Sequence, residues 1–220
     1  MKDLKTILNE NYIIEAANNI TLDDKYKSGK DQKWIDWMIK RSTPKSGRDL
    51  NATIEKYCNQ FGWDSDLNWI NVSKVTDMSE MFANQNAAFT GDISKWDTSN
   101  VENMYRMFHY SDFNGDISNW NVSKVKVMAD MFSKSKFASD LSKWDVSNVE
   151  NMYRMFDCTK FNRDISRWDV RNVENMEQMF SWSDFNQDLS RWNIKKVKNT
   201  TDMFYQSPLE KRPPKWYVSK

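Results

Sequence analysis

The sequence predicts an α/β repeat protein, a solenoid of about six 24-residue coils behind a helical N-terminal cap. Tryptophan recurs at positions 96, 120, 144, 168, 192 and 216, a constant step of 24. Two copies of the surrounding segment are nearly identical: residues 96–108 read WDTSNVENMYRMF and residues 144–156 read WDVSNVENMYRMF. The remaining apolar residues fall in columns of the same period. A period between about 20 and 50 residues marks an array of stacked units, none of which buries its apolar face alone.

Each coil follows the pattern F-N-x-D-I-S-x-W-D-V-S-N-V-x-N-M-x-x-M-F. The Trp column is flanked by an Ile/Leu column (Ile93, Ile117, Leu141, Ile165, Leu189) and a mostly Val column (Thr98, Val122, Val146, Val170, Ile194). Residues 117–122 combine β-branched and aromatic side chains, which suits a short strand. Val125, Met128, Met131 and Phe132 sit at 0, +3, +6 and +7, one face of a short helix, with Ser123 or Ser147 as N-cap residues. The pattern extends backward, with Ile70 in the Trp column and Trp63 in the Phe column; two extra residues enter around 84–88.

Residues 1–62 do not repeat and form the expected helical cap or docking segment. Leu4, Ile7, Leu8 and Ile14 suggest one amphipathic helix, and Trp34, Trp37 and Met38 a second. After the Pro44–Gly47 break, Asp49 is positioned to cap a third helix carrying Leu50, Ile54, Tyr57, Cys58 and Phe61. An open end exposes apolar residues and backbone edges and needs a lid; alternatively the first helix docks the chain onto an assembly. Residues 63–216 are the repeat array and 217–220 a tail.

Composition excludes several function classes. The chain has 220 residues with 32 Lys+Arg against 31 Asp+Glu, a net charge of +1 that gives no nucleic-acid footprint. No apolar run is long enough to span a bilayer. The start, MKDLKTILNENYII, has no continuous apolar stretch or small-residue cleavage site, so no secretory signal is read. Cys58 and Cys158 provide neither a disulfide framework nor a Cys-type zinc site. His109 is the single histidine, which removes His-rich metal sites and disfavours a catalytic triad. No catalytic residue, cofactor or metal is expected.

Three features outside the core columns can carry binding. Asp66, Asp92, Asp116, Asp140, Asp164 and Asp188 form an aspartate column that could hold a cation ladder, but short side chains of this kind more simply accept backbone N–H groups in turns. Lys143, Arg167 and Arg191, with Lys95 and Lys215, form a basic stripe beside the Trp column; it reads as either a charged recognition row or a solvated face. The return loops and adjacent positions hold Tyr105, Arg106, Tyr110, Tyr153, Arg154 and Trp182, residue types that interfaces use as anchors. Trp182 could equally cover its own coil.

On these motifs the chain resembles the BspA-like repeats, relatives of the leucine-rich repeat found in long bacterial surface proteins and lipoproteins. The W-D-x-S-x-V-x-x-M-x-x-M-F form resembles a subtype that also occurs in phage and large-virus proteins. The resemblance spans residues 63–216. It implies a right-handed, leucine-rich-repeat-like solenoid that binds macromolecules and performs no chemistry. The expected setting is a virus or phage particle or another surface assembly. The partner is then a protein of that assembly, or a host-surface protein or glycan; a secreted adhesin and an intracellular scaffold are the alternatives.

A tryptophan in the middle of such a stack carries much of its burial energy. Trp144→Ala is expected to lower unfolding free energy by about 3–5 kcal/mol in urea titrations, as large-to-small core changes do.

Overall fold

The computed structural model describes residues 43–217, so the two expected helices around Leu4–Ile14 and Trp34–Met38, and all but Tyr217 of the tail, lie outside the described residues. Helix α1 spans Gly47–Phe61. Ser46, not Asp49, is its N-cap: its Oγ accepts the Asp49 N–H at 3.2 Å. Asp49 lies in the first turn and accepts the Lys45 N–H, so the two side chains share the capping. Leu50, Thr53, Ile54, Tyr57 and Cys58 are buried at helical spacing against the first unit, where the Tyr57 ring lies 5.1 Å from that of Trp69. A Cβ at Gly47 would stand 2.1 Å from the Asp77 carbonyl oxygen, so only glycine permits this approach. Burial pushes the Cys58 thiol up to about 12 and the Tyr57 hydroxyl higher still.

Beyond α1 the repeat contains no α-helix and no extended strand among the described residues, only turns, two short 3-10 segments and isolated parallel bridges. The helix expected over 125–132 and the strand expected over 117–122 are both replaced by β-turns. In one unit the i→i+3 bonds run Trp120 N–H to Ile117, Val125 to Val122, Met131 to Met128, Ser133 to Asp130 and Ser135 to Phe132, at 2.8–3.2 Å in this and the equivalent Val75–Val72 turn. A turn brings its first and fourth residues to the same side, so chained turns give apolar steps of three just as a helix does. That ambiguity is why the spacing suggested a helix.

These turns need left-handed backbone at non-glycine residues. Asp130 has φ 55° and Lys134 φ 58°, and the same two columns supply all twelve positive-φ non-glycine residues of the described chain, from Glu80 and Asn84 to Asp202 and Gln206. Asp130 stands third in the Met128–Met131 turn and Lys134 third in the Phe132–Ser135 turn, the position at which a type II turn demands positive φ.

The units stack through their backbones. The N–H groups of Met128, Asp130, Phe132 and Lys134 donate to the carbonyls of Asn151, Tyr153, Met155 and Asp157 in the following unit, at 2.9, 2.7, 3.0 and 2.8 Å. Parallel bridges run through Asp77, Asn103, Val127, Asn151, Asn175 and Asn199. Apart from the Asp66–Asp92 bridge at the first unit, the pairing therefore lies in the segment expected to be helical, not around the Trp column.

Side chains stack in the same direction. Phe108, Phe132, Phe156 and Phe180 follow one another at 5.6–5.7 Å between ring centroids. Each Trp Nε1 donates to the Ile/Leu carbonyl of the preceding unit, as from Trp144 to Ile117 at 3.0 Å and from Trp216 to Leu189 at 2.8 Å. These columns and the buried face of α1 form one continuous hydrophobic cluster, in which Trp96, Trp120, Trp144, Trp168 and Trp192 are at most 4% exposed.

The aspartate column closes turns. Oδ1 of Asp66, Asp92, Asp116, Asp140, Asp164 and Asp188 each accepts the backbone N–H two residues on, at 2.7–2.9 Å. A second set follows the Trp column (Asp97, Asn121, Asp145) and a third holds the bridge positions (Asn103, Asn151, Asn175). The backbone N–H groups hold the Asp116, Asp164 and Asp188 carboxyls below the ordinary range.

Two outcomes follow. Gln178 sits at φ 53°. Gln178→Gly is expected to raise stability by up to about 1 kcal/mol, because relief of the left-handed penalty exceeds glycine's chain entropy, and Gln178→Val to lower it; urea midpoints decide. A carboxyl whose folded pKa is depressed gives stability that is present above its unfolded value and lost as pH falls through the folded one. Asparagine makes the same turn without a proton, so the combined variant Asp116→Asn, Asp164→Asn, Asp188→Asn should lose less stability than the parent between about pH 5 and pH 2.

Candidate partner-binding ridge

The left-handed turns project their side chains along one ridge, which collects several of the residues singled out by sequence. One column runs Tyr110, Lys134, Cys158, Trp182 and Gln206; the next runs Arg106, Asp130, Arg154 and Gln178. Tyr110 and Trp182 are each 57% exposed, and with Tyr205 at 43% they are the large exposed hydrophobic side chains of the described residues. The Trp182 and Tyr205 rings meet edge-on at 5.7 Å, and the Trp182 N–H donates to the Tyr205 carbonyl. Trp182 therefore does not cover its own unit.

Arg106 and Arg154 are occupied. Arg106 lies 5.0 Å from the Tyr105 ring, 3.5 Å from the buried Asp130 carboxylate and 3.8 Å from that of Glu80. Arg154 lies over the Tyr153 ring at 5.6 Å and 3.7 Å from the buried Asp157 carboxylate. Tyr105 and Tyr153 are half-buried beneath them. Lys134 donates to the Tyr110 hydroxyl at 2.8 Å and its ammonium lies 4.9 Å from that ring's centroid.

Lys143, Arg167 and Arg191 occupy a different corner, in the turns that carry the Trp column. They are exposed and neighbour the aspartate column: Lys143 acts on Asp116, and Arg191 on Asp164 and Asp188. The stripe is thus locally neutralised and is not continuous with the ridge.

Sequence reading missed Tyr205 and the buried carboxylates. His109, Ser133, Asp157, Ser181 and Tyr205 share one column at the repeat step, a signal available in the sequence but outside the apolar pattern. Ser133 is buried and its Oγ donates to Asp157 Oδ2 at 3.4 Å, while His109 Nδ1 is buried without a hydrogen-bond partner. The hydroxyl is thus directed to the carboxylate, not the imidazole, and forms no nucleophile–base pair. Burial raises the Asp157 carboxyl and the Cys158 thiol and lowers the His109 imidazolium. Cys158 donates to Asp157 Oδ1 at 3.5 Å, which holds it as a thiol.

No helix among the described residues is long and apolar enough to cross a membrane. No curated protein and no solved structure matches the chain. A family model described as Mycoplasma protein of unknown function, DUF285, matches residues 49–157 and again residues 112–217. The two matches overlap as a repeat family's should, run from α1 to the last turn, and place the chain in the DUF285 family of BspA-like repeats.

Proposed function

We propose that this chain is a non-enzymatic interaction protein, a right-handed, leucine-rich-repeat-like solenoid that presents its turn ridge to a protein partner. The observation that carries the reading is the exposure of Tyr110, Trp182 and Tyr205 on a ridge whose backbone is bonded on successive rungs. Exposed aromatics on a rigid support lose little entropy on binding and are the side chains that dominate interface energetics. The ridge is electrically mixed, because the guanidinium groups of Arg106 and Arg154 already face Asp130 and Asp157. This favours recognition by shape and aromatic contact over attraction to a polyanion. The occupied hydroxyl of Ser133 and the protonated Cys158 support a role without chemistry.

The setting is a virus or phage particle or another surface assembly, as the subtype's distribution implies. Affinity capture from purified particles or host-cell surface extracts tests the ridge. Trp182→Ala with Tyr205→Ala should weaken the specific partner at least about tenfold and leave the unfolding midpoint near the parent's. The triple change Lys143→Ala, Arg167→Ala, Arg191→Ala should leave capture unchanged. The opposite pattern would move the binding face to the basic stripe.

A further inference from the structure

The two ends of the stack differ in kind, because the peptide groups from Met128 to Lys134 and their equivalents point one way; only at the start of the segment does an N–H face back, as from Lys126 to the Glu102 carbonyl at 2.9 Å. In each unit the N–H groups at the positions of Met128, Asp130, Phe132 and Lys134 face the next unit, and the carbonyls at Val127, Ala129, Met131 and Ser133 face the previous one. In the last unit those donors are Thr200, Asp202, Phe204 and Gln206. The intervening carbonyls of Asn199, Thr201, Met203 and Tyr205 are already used by Met176, Gln178, Phe180 and Trp182. Gln206 N–H is taken by Glu210 at 3.1 Å. The N–H groups of Thr200, Asp202 and Phe204 have no hydrogen-bond partner among the described residues.

The other columns continue past this edge. Leu209 is buried one repeat step after Phe185, and Trp216 stacks 6.4 Å from Trp192 with its Nε1 on Leu189. The Phe/Trp side of the last unit is therefore covered, whereas the described residues leave the Thr200, Asp202 and Phe204 N–H groups of its pairing side open. Tyr217 touches Phe204 edge-on at 4.9 Å, where the next ring of the Phe column would lie.

We infer that this C-terminal edge is a docking site selective for the pairing segment of another polypeptide bearing this same repeat. The selectivity comes from donor geometry. An ordinary β-strand offers N–H and C=O together from alternate residues, so it can match the Lys198 carbonyl and Thr200 N–H at the start of the edge, but against the further donors of Asp202 and Phe204 it sets N–H against N–H. A second copy of the edge fails for the same reason. A segment with left-handed turn residues presents successive carbonyls on one side, as Asn151, Tyr153, Met155 and Asp157 do toward the preceding unit, and the internal interfaces of this chain repeat that match. Beyond Thr200 the edge is thus a poor template for the generic strand pairing that makes open edges aggregate. This inference is independent of the aromatic ridge.

Amide exchange of the full chain by NMR tests it, with a peptide of residues 101–110 (VENMYRMFHY) as probe. In the free chain the amides of Thr200 and Asp202 should exchange faster than those of Met176 and Gln178. At millimolar peptide, the Thr200, Asp202 and Phe204 amides should slow at least about tenfold, with Gln206 unchanged. A scrambled peptide, an alternating Thr-Val peptide and sodium phosphate should have no effect. Protection of these amides in the free chain, no protection by the repeat peptide, or equal protection by the alternating peptide or phosphate would overturn the inference.

Discussion

The common orientation of the peptide groups in the pairing segment is the constraint from which the rest of this structure follows. From Met128 to Lys134 and their equivalents, donors face forward, the intervening carbonyls face back, and i→i+3 turns link them. A unit alone would leave both of its faces unpaired, and a buried polar group without a partner costs about 1–3 kcal/mol. Backbone satisfaction and aromatic stacking therefore require the same neighbour at the same spacing. This also explains why α1 packs on the first unit with so close a contact at Gly47: the carbonyl-facing end needs cover. Asn86 contributes, donating to the Met81 carbonyl and to the Asn51 side chain of α1.

Left-handed backbone at non-glycine residues is often a mark of a functional site, where strain is held for a purpose. Here it is not. It recurs in every unit at two columns, so its cause is architectural, and it singles out neither Arg106 nor Trp182. What distinguishes Tyr110, Trp182 and Tyr205 is exposure, which no local backbone feature predicts.

The unit length, the core columns and the membership of each column were legible in the sequence, because burial acts on side-chain identity and repeats with the backbone. Local conformation was not. Steps of three serve chained turns and helices alike, and the residues that decide between them, such as Asp130 and Lys134, have no chemistry that announces positive φ. The aspartate column was legible as turn chemistry because carboxylate and amide oxygens exchange freely there, as at Asp97, Asn121 and Asp145. Trp69 was missed for a different reason. It stands at a basic-stripe position, but as the boundary unit's residue it is buried under Tyr57, with its Nε1 unpartnered among the described residues.

The separation of backbone and side-chain roles along the ridge bears on how binding can change without loss of the fold. The column through Tyr110 admits Tyr, Lys, Cys, Trp and Gln at nearly the same φ, because rungs on both sides fix the backbone whatever side chain it carries. The adjacent column is less free. Asp130 and Asp157 are buried, and each depends on an arginine lying across it, from the preceding unit for Asp130 and from its own unit for Asp157. Removing either arginine leaves a buried carboxylate without its countercharge, a change that costs far more than an exposed pair is worth. If the ridge binds as proposed, its specificity can therefore change through the Tyr110–Trp182 column, whereas Arg106 and Arg154 are held in place by the buried carboxylates they face.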